Sequence, residues 1–524
     1  PRSRGLGDVY KRQAQVRTMS GQIAFFLRHT LGLSRGERIG ILSPNSTLYQ
    51  PLVLGIVRAG LVCVTLNPIY SAEELVHPFE DSDIRTFFVH PATLERVHQA
   101  QELAHRSMKL TNGQNAVWLM DDSDSISIAP SGEHDFRTML NTHELPVVDT
   151  RGGDDTAMIV YSSGTSGKPK GVVLSHDNMV TGTHIFELLS FGEWGPKSVV
   201  IGVLPFFHIF GLNFFALSSF LCATPVVVIP RFDLTVFCGA VQRFKCTQAL
   251  VVPPMLLALS RHPAVDKFDM SSLKAALSGA APLGPELIEE VQARLPHLRI
   301  SQGYGLSETS PVLLRASPED HDMYKGTVGR VAPYVELRLV NHDGIDVGFA
   351  QDGDKPNPGE IWARGRPIMK GYQNNQEETD SCITPDGWFK TGDVAIIKNG
   401  CFFIVDRIKE LIKYKGFQVS PAELEDTLLG NYLVADCAVV GVQNKEQATE
   451  LPRAYIVPTS SGLDLKTATQ SEKEAFCKEV QEWLNKQVAN HKQLRGGVFL
   501  IDQVPKSASG KILRRSLRDI ANSK

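Results

Sequence analysis

The stretch Tyr161 to His176, YSSGTSGKPKGVVLSH, gathers in one short segment the groups a polyphosphate would need. Ser162, Ser163, Thr165 and Ser166 offer hydroxyl donors. Gly164 and Gly167 let backbone N–H groups approach oxygens closely, and Lys168 and Lys170 add positive charge. This is not a Walker A loop, because Pro169 stands five positions after Gly164, where that pattern requires Gly. The bland alternative is a surface loop rich in Ser and Gly. A second block, Gln302-Gly303-Tyr304-Gly305-Leu306-Ser307-Glu308-Thr309, flanks an aromatic with glycines, leaving room for a flat base. Glu308 is a hard oxygen ligand suited to Mg²⁺ on phosphates. Alone, this block reads as a structural turn.

Three further places carry chemistry. In Gly387-Trp388-Phe389-Lys390-Thr391-Gly392-Asp393 a carboxylate is predicted directly after a tight turn, where it could accept both hydroxyls of a ribose; otherwise it is an exposed hairpin Asp. In Pro505-Lys506-Ser507-Ala508-Ser509-Gly510-Lys511-Ile512 a single lysine follows a loop rich in Ser. A charge there could oppose charge developing on phosphorus, where one such donor is typically worth about 3–4 kcal/mol. His208, in Pro205-Phe206-Phe207-His208-Ile209-Phe210-Gly211, sits among aromatics and by default is a satisfied core histidine.

These blocks together resemble the adenylate-forming (AMP-binding) enzymes, whose signature loop is similar to SSGTSGKPKG. That superfamily includes acyl-CoA synthetases, 4-coumarate:CoA ligases, firefly-type luciferases and the adenylation domains of peptide synthetases. The matches run in family order from about Val16 to Arg515. The resemblance implies an ATP-dependent ligase that joins a carboxylic acid to coenzyme A through an acyl-adenylate, with Mg²⁺ held by Glu308. It implies that Lys511, Lys170, His208 and Thr309 are catalytic, Thr309 touching the α-phosphate and Lys511 bridging the carboxylate and that phosphate. The nucleotide would lie against the 162–167 loop, Gly279, Ala280, Ala281, Gln302, Gly303, Tyr304 and Gly305, with Tyr304 stacked on adenine. Asp393 and Arg407 would hold the ribose, and Lys409 would also contact the nucleotide. Asp406 to Lys409 would be the hinge about which a small domain turns. The acyl pocket would be walled by His208, Ile209, Phe210, Asn213, Leu277, Ala281, Pro311 and Val312, while Lys413, Lys415 and Gly416 would meet coenzyme A.

The acid is narrowed less. The chain departs from the coumarate ligases at Leu277, where they carry Lys, and at Trp362, where they carry Cys. A coumarate-type aryl acid and a medium- to long-chain fatty acid therefore stand together. An adenylation enzyme that loads a carrier protein, a luciferase-like oxygenase and a non-catalytic sensor are the competing readings. Intact Lys170, Glu308, Asp393, Arg407 and Lys511 argue against the sensor.

The elements that must position these groups follow from the rest of the sequence. A chain of 524 residues exceeds what one core can serve, so several packed units are expected. Hydrophobic residues at 42% and charged residues at 21% are those of a chain that packs a core. A net charge of −3 gives no field for polyanions, so nucleic acid is an unfavoured partner. Short apolar runs at Ile39–Leu42, Ala157–Ser162, Gln248–Val252 and Lys274–Ser278 alternate with helical patterns, predicting α/β with mixed and parallel sheets over residues 14–405. A small mobile α+β domain is expected over 406–524, with a helix near Ser471–Asn490 burying Phe476, Val480, Trp483, Leu484 and Val488. Ser198 to Pro230 lacks charged residues but is broken by Pro205, Pro225 and polar residues, so it is expected in the core and not in a membrane. Eight scattered cysteines without a C-x-x-C pair predict free thiols. Residues 1–13 read as a non-native leader ahead of a shortened first domain. Ser523-Lys524 stops one residue short of a peroxisomal address, leaving peroxisome or cytoplasm.

Overall fold

A computed structural model describes residues 13–105, 116–122, 132–145, 152–162, 169–347, 357–415, 417–444, 447, 449–508 and 510–522. Ser163 to Lys168, Gly416, Ser509 and Ser523-Lys524 lie outside them, as do residues 1–12 of the expected leader.

Two large sheets form the body. The first has eight strands, with Val62–Thr65, Arg38–Leu42 and Thr86–Val89 at its parallel centre. Their sequences VCVT, RIGIL and TFFV are apolar almost throughout because helices cover both faces, the usual condition of a parallel sheet. Thr156–Ser162 extends this sheet in parallel, and Lys170–Ser175 then returns antiparallel to it. The phosphate-cradle segment thus leaves one strand and re-enters its neighbour. Its Lys170 begins the second strand, opposite Ser162.

The second sheet has seven strands and carries the start of the Gln302–Thr309 block. Gln248–Val251, Ala275–Ser278 and Arg299–Tyr304 run parallel, and Leu314–Arg315 then pairs antiparallel with the end of the third. The Gly-Tyr-Gly predicted as a turn is therefore strand through Tyr304, since Gly303 and Tyr304 pair with Arg315 and Leu314. The run Ser198–Pro230 is core, as expected. It contributes the strands Val200–Gly202 and Val226–Val228 around a helical stretch from Ile209 to Leu221 whose middle, Leu212–Ser218, is wound in wider turns. Among the described residues no helix is long and apolar enough to cross a membrane.

A four-stranded antiparallel sheet, Val335–Val340, Gly359–Gly365, Phe389–Lys398 and Cys401–Arg407, leads to the C-terminal unit. Asp393 is not the exposed hairpin carboxylate of the alternative reading. It lies within the strand Phe389–Lys398, just after an irregularity at which Gly392 takes a left-handed φ of 73°, and is 4% exposed because that strand pairs with Cys401–Arg407. The C-terminal unit packs a separate apolar core on three strands, Val434–Asn444, Thr449–Pro458 and Val498–Leu500. Its long helix spans Gln470–Gln487, with Phe476, Val480 and Leu484 buried. Val488 lies one residue beyond the helix in extended backbone, yet packs on the same core with Trp483.

Candidate active site

Strand register brings the first two groups together. Asp393 and Arg407 are direct cross-strand partners, and Arg407 Nε donates to Asp393 Oδ1 at 2.9 Å. Tyr304, at the end of its own strand, donates its hydroxyl to Asp393 Oδ2 at 2.8 Å. Each carboxylate oxygen keeps a second lone pair for a ribose hydroxyl. The negative charge of Asp393 holds the Arg407 guanidinium above its usual range, and burial beside Asp393 does the same to the Tyr304 phenol.

After Tyr304 the chain turns tightly. A Cβ on Gly305 would stand 1.6 Å from the Pro311 carbonyl oxygen, so only glycine allows the strand end to lie against that segment. Thr309 is fully buried, and its Oγ1 accepts from Leu306 N at 2.9 Å and lies 3.1 Å from both the Leu306 and Pro311 carbonyls. Its hydroxyl is thus committed to shaping the turn. Asn213 is also fully buried and donates to the Ser310 carbonyl, so it supports this turn from the helix behind instead of lining the cavity.

Glu308 sits at the same turn. Tyr372 donates its hydroxyl to Glu308 Oε1 at 2.9 Å, and Met369 N donates to the Glu308 carbonyl. Tyr372 reaches this point because Gly371–Tyr372 forms the edge strand beside Lys170–Ser175. Lys170 Nζ pairs with Glu378 Oε2 at 2.6 Å and stands 5.1 Å from the centre of the Tyr372 ring. Tyr372 and Glu378 were not singled out from sequence, where nothing local marks either one.

One cavity opens beside these parts at Tyr304 and Gly305. It is lined by His208, Ile209, Phe210, Leu277, Gly279, Ala280, Gly303, Tyr304, Gly305, Pro311 and Val312 among others, and by Lys511 from the far end of the chain. A Cβ on Gly279 would stand 3.2 Å from the Phe210 ring, so any larger residue would have to push that ring back by a few tenths of an ångström. Ala281, half-buried, and Gln302, which donates to the Leu283 carbonyl at 3.2 Å, stand beside this cavity instead of lining it. Trp362 is remote from the cavity and is held by Glu360 and stacked cations.

Lys511 is the electrostatic centre. Burial pulls its ammonium down to about 8, Arg407 pushes the same way, and Glu308 and Asp393 partly oppose them. Burial, aided by Lys511, pushes His208 down to about 3, so the ring is neutral at physiological pH. Its Nδ1 accepts from Phe210 N at 3.3 Å, which assigns the proton to Nε2. His208 is thus a polar wall group of the cavity.

The remaining expected residues lie elsewhere. Lys409 is exposed in the turn after Cys401–Arg407. Lys413 and Lys415 are exposed on the hairpin Ile412–Tyr414 and Phe417–Val419, and their backbone amides are held by Glu450 and Thr449. Asp406, in the expected hinge, is buried and accepts from Ser420 Oγ at 2.7 Å and Ala422 N at 3.1 Å, anchoring the start of helix Pro421–Leu429. All eight cysteines are free.

Comparison with known proteins bears on this geometry. The sequence pattern of the AMP-binding enzymes matches residues 13–373, and that of the AMP-binding enzyme C-terminal domain matches 423–511. The chain is 36% identical over 496 residues to probable 4-coumarate–CoA ligase 1 of Dictyostelium discoideum, covering 93% of this chain and 86% of that protein. It is 36% identical over 517 residues to 4-coumarate:CoA ligase 1 of Petunia hybrida, covering 96% and 88%. Among solved structures, ATP-bound MatB from Rhodopseudomonas palustris superposes with a TM-score of 0.80 at 26% identity, covering 97% of this chain and 93% of that one. An anthranilate CoA ligase bound to anthranoyl-AMP shares the fold, with a TM-score of 0.83 at 22% identity over 97% and 92% of the two chains.

Proposed function

This chain belongs to the AMP-binding enzyme family and is an ATP-dependent acid:CoA ligase, and we propose that the acid it activates is an aryl acid of the coumarate type or a medium- to long-chain fatty acid. The observation that carries the reading is the presence of Lys511 in the same cavity as His208, Leu277, Gly279 and Tyr304, far from it in sequence.

A carboxylate is a poor electrophile, and AMP gives it a leaving group. The substrate carboxylate attacks the α-phosphorus of ATP, the bond to pyrophosphate breaks, and the acyl-adenylate forms. The thiol of coenzyme A then attacks the acyl carbon, loses its proton, and AMP departs. Asp393 and Arg407 hold the ribose, Tyr304 offers its face to adenine, and the cations Lys170 and Lys511 oppose charge on the phosphates, as positioning-dominated phosphoryl chemistry demands. Lys170 would exchange Glu378 for phosphate when ATP arrives.

The residues fit Mg²⁺ on one condition. Among the described residues no cluster of three or more His, Cys, Asp or Glu could cage a metal, so Glu308 alone would hold it and phosphates would complete its shell. Bound there, it would neutralise phosphate charge. We assign residues 14–405 to the large unit and 406–524 to the small one, with Asp406 to Lys409 as the hinge. Rotation about it would withdraw Lys511 and bring the Lys413 to Gly416 hairpin toward coenzyme A.

The test is pyrophosphate release from ATP and Mg²⁺ across cinnamic, benzoic and fatty acids, with and without coenzyme A, beside Lys511→Ala. Pyrophosphate with an acyl-CoA product, lost by about 100-fold or more in Lys511→Ala, supports the reading. Pyrophosphate without thioester would mean a carrier-loading or oxygenase role, and silence across the panel in a folded protein would overturn the ligase reading.

A further inference from the structure

The acyl cavity contains an arginine that the reaction above does not use. Arg315 lines it with Phe186, Leu189 and Phe214, and its side chain is 4% exposed. A buried guanidinium has five N–H donors to satisfy. Here Nη2 makes a long contact of 3.4 Å to Glu193 Oε2, while Nε and Nη1 have no hydrogen-bond partner among the described residues. The Phe186 and Phe191 rings stand 5.6 and 5.5 Å away, offering π faces but no acceptor. Glu193 is also shared, because Arg299 pairs with its other oxygen. Two guanidinium charges thus meet one carboxylate, and one positive charge is left over beside an apolar cavity. Burial correspondingly lowers Arg315 to about 10, with Glu193 opposing and Arg299 adding to the fall.

The position along the sheet says which end of a substrate would meet this charge. Arg315 lies opposite Gly303, but its Glu193 partner is the one held by Arg299. Arg299 begins the strand that ends at Tyr304, five residues or about 16 Å further on. Lys511, Tyr304 and the adenylation chemistry lie at that far strand end; the Arg315 backbone stands beside it, opposite Gly303, but its guanidinium reaches back to the carboxylate that Arg299 also holds, so its charge is directed toward the cavity end remote from the reacting carboxyl.

We propose that Arg315 is a specificity-determining residue, and that the preferred substrates are carboxylic acids bearing a second carboxylate at the end remote from the one activated. The carboxylate would accept from Nε and Nη1 in the paired geometry that guanidinium favours. This rests on the ligase reading and deepens it by naming the substrate class.

The test needs no substitution for its main arm. Pyrophosphate release and acyl-CoA formation are compared for matched acids of equal length, one ending in methyl and one in carboxylate, with aryl acids with and without a para carboxylate beside them. A kcat/KM higher by roughly 10- to 100-fold for the dicarboxylic member is expected. Arg315→Gln should remove or reverse that preference while leaving methyl-terminated acids within a few-fold, and Glu193→Gln, which leaves more positive charge, should widen it. Equal or better use of the methyl-terminated acids by the unsubstituted enzyme would overturn the proposal and leave the ligase reading standing. Silence with every acid would overturn both. If Arg315→Gln does not fold, the unsubstituted enzyme and Glu193→Gln still decide the matter.

Discussion

Lys511 shows how much of this site is set by one buried charge. Its ammonium is held down to about 8, chiefly by burial, so the charged form that opposes phosphate is complete only below that pH. The free enzyme's kcat/KM for ATP is therefore expected to fall as pH rises through about 8, and a pH–rate profile checks it. In Lys511→Arg, where the guanidinium stays charged, that limb should disappear even if the overall rate is lower. Asp393 makes a second prediction at this scale. Asp393→Asn keeps the size but gives up the charge-assisted bonds to Arg407 and Tyr304. Each such bond is worth about 1.5–3 kcal/mol, so KM for ATP should rise roughly 10-fold or more, measured with the acid saturating.

At the level of elements, the loop that presents Lys511 is fixed from behind by Arg514, which opens the helix Arg514–Asn522. Arg514 Nη2 donates to Glu425 Oε2 at 2.9 Å and Nη1 to the Val439 carbonyl at 2.9 Å, and both side chains are about nine-tenths buried. The Glu425 charge holds Arg514 above its usual range against the desolvation it suffers. Removing one partner strands the other in the core. Arg514→Ala is expected to destabilise the C-terminal unit by about 3–5 kcal/mol in denaturant unfolding, and Arg514→Met with Glu425→Leu to recover most of it. The anchoring of helix Pro421–Leu429 by Asp406 and Ser420 follows the same logic at the other end of the linker, where Ser420 is also the helix N-cap.

Across the whole molecule, the two units touch through acids as well as through Lys511. Asp426 of the C-terminal unit lies against Gly284, where a Cβ would stand 1.4 Å from its carboxylate, and hydrogen-bonds Glu286. Burial first, and then Glu286, raise Asp426 to about 8. A carboxyl raised above its unfolded value of about 4 contributes stability that is complete below that value and is lost as pH rises through about 8. The contact between units should accordingly loosen progressively between about pH 4 and 8. Thermal unfolding over that range should show a fall in Tm that Asp426→Asn, which hydrogen-bonds Glu286 without needing a proton, makes smaller. Arg261, reaching the Leu429 and Val434 carbonyls at 2.8 and 2.7 Å, ties the same face without titrating.

Residue types and local periodicity by themselves determined the α/β class, the buried strands at Arg38–Leu42, Gln248–Val251 and Ala275–Ser278, the long helix with Phe476, Val480 and Leu484 inside, and the chemistry available at Lys170, Glu308, Asp393 and Lys511. Those features depend on neighbours in sequence, and a 2- or 3.6-residue period carries them. Tertiary structure alone decided where each side chain points and what faces it. Residue order around Asp393 left a ribose-holding carboxylate and an exposed hairpin Asp both open, and only the pairing of its strand with that of Arg407 shows it buried. Thr309 read as a phosphate contact, yet its hydroxyl is spent on its own turn. Tyr372, Glu378 and Arg315 carry no local mark, since their partners Glu308, Lys170 and Glu193 lie far along the chain and meet them only when sheets pack.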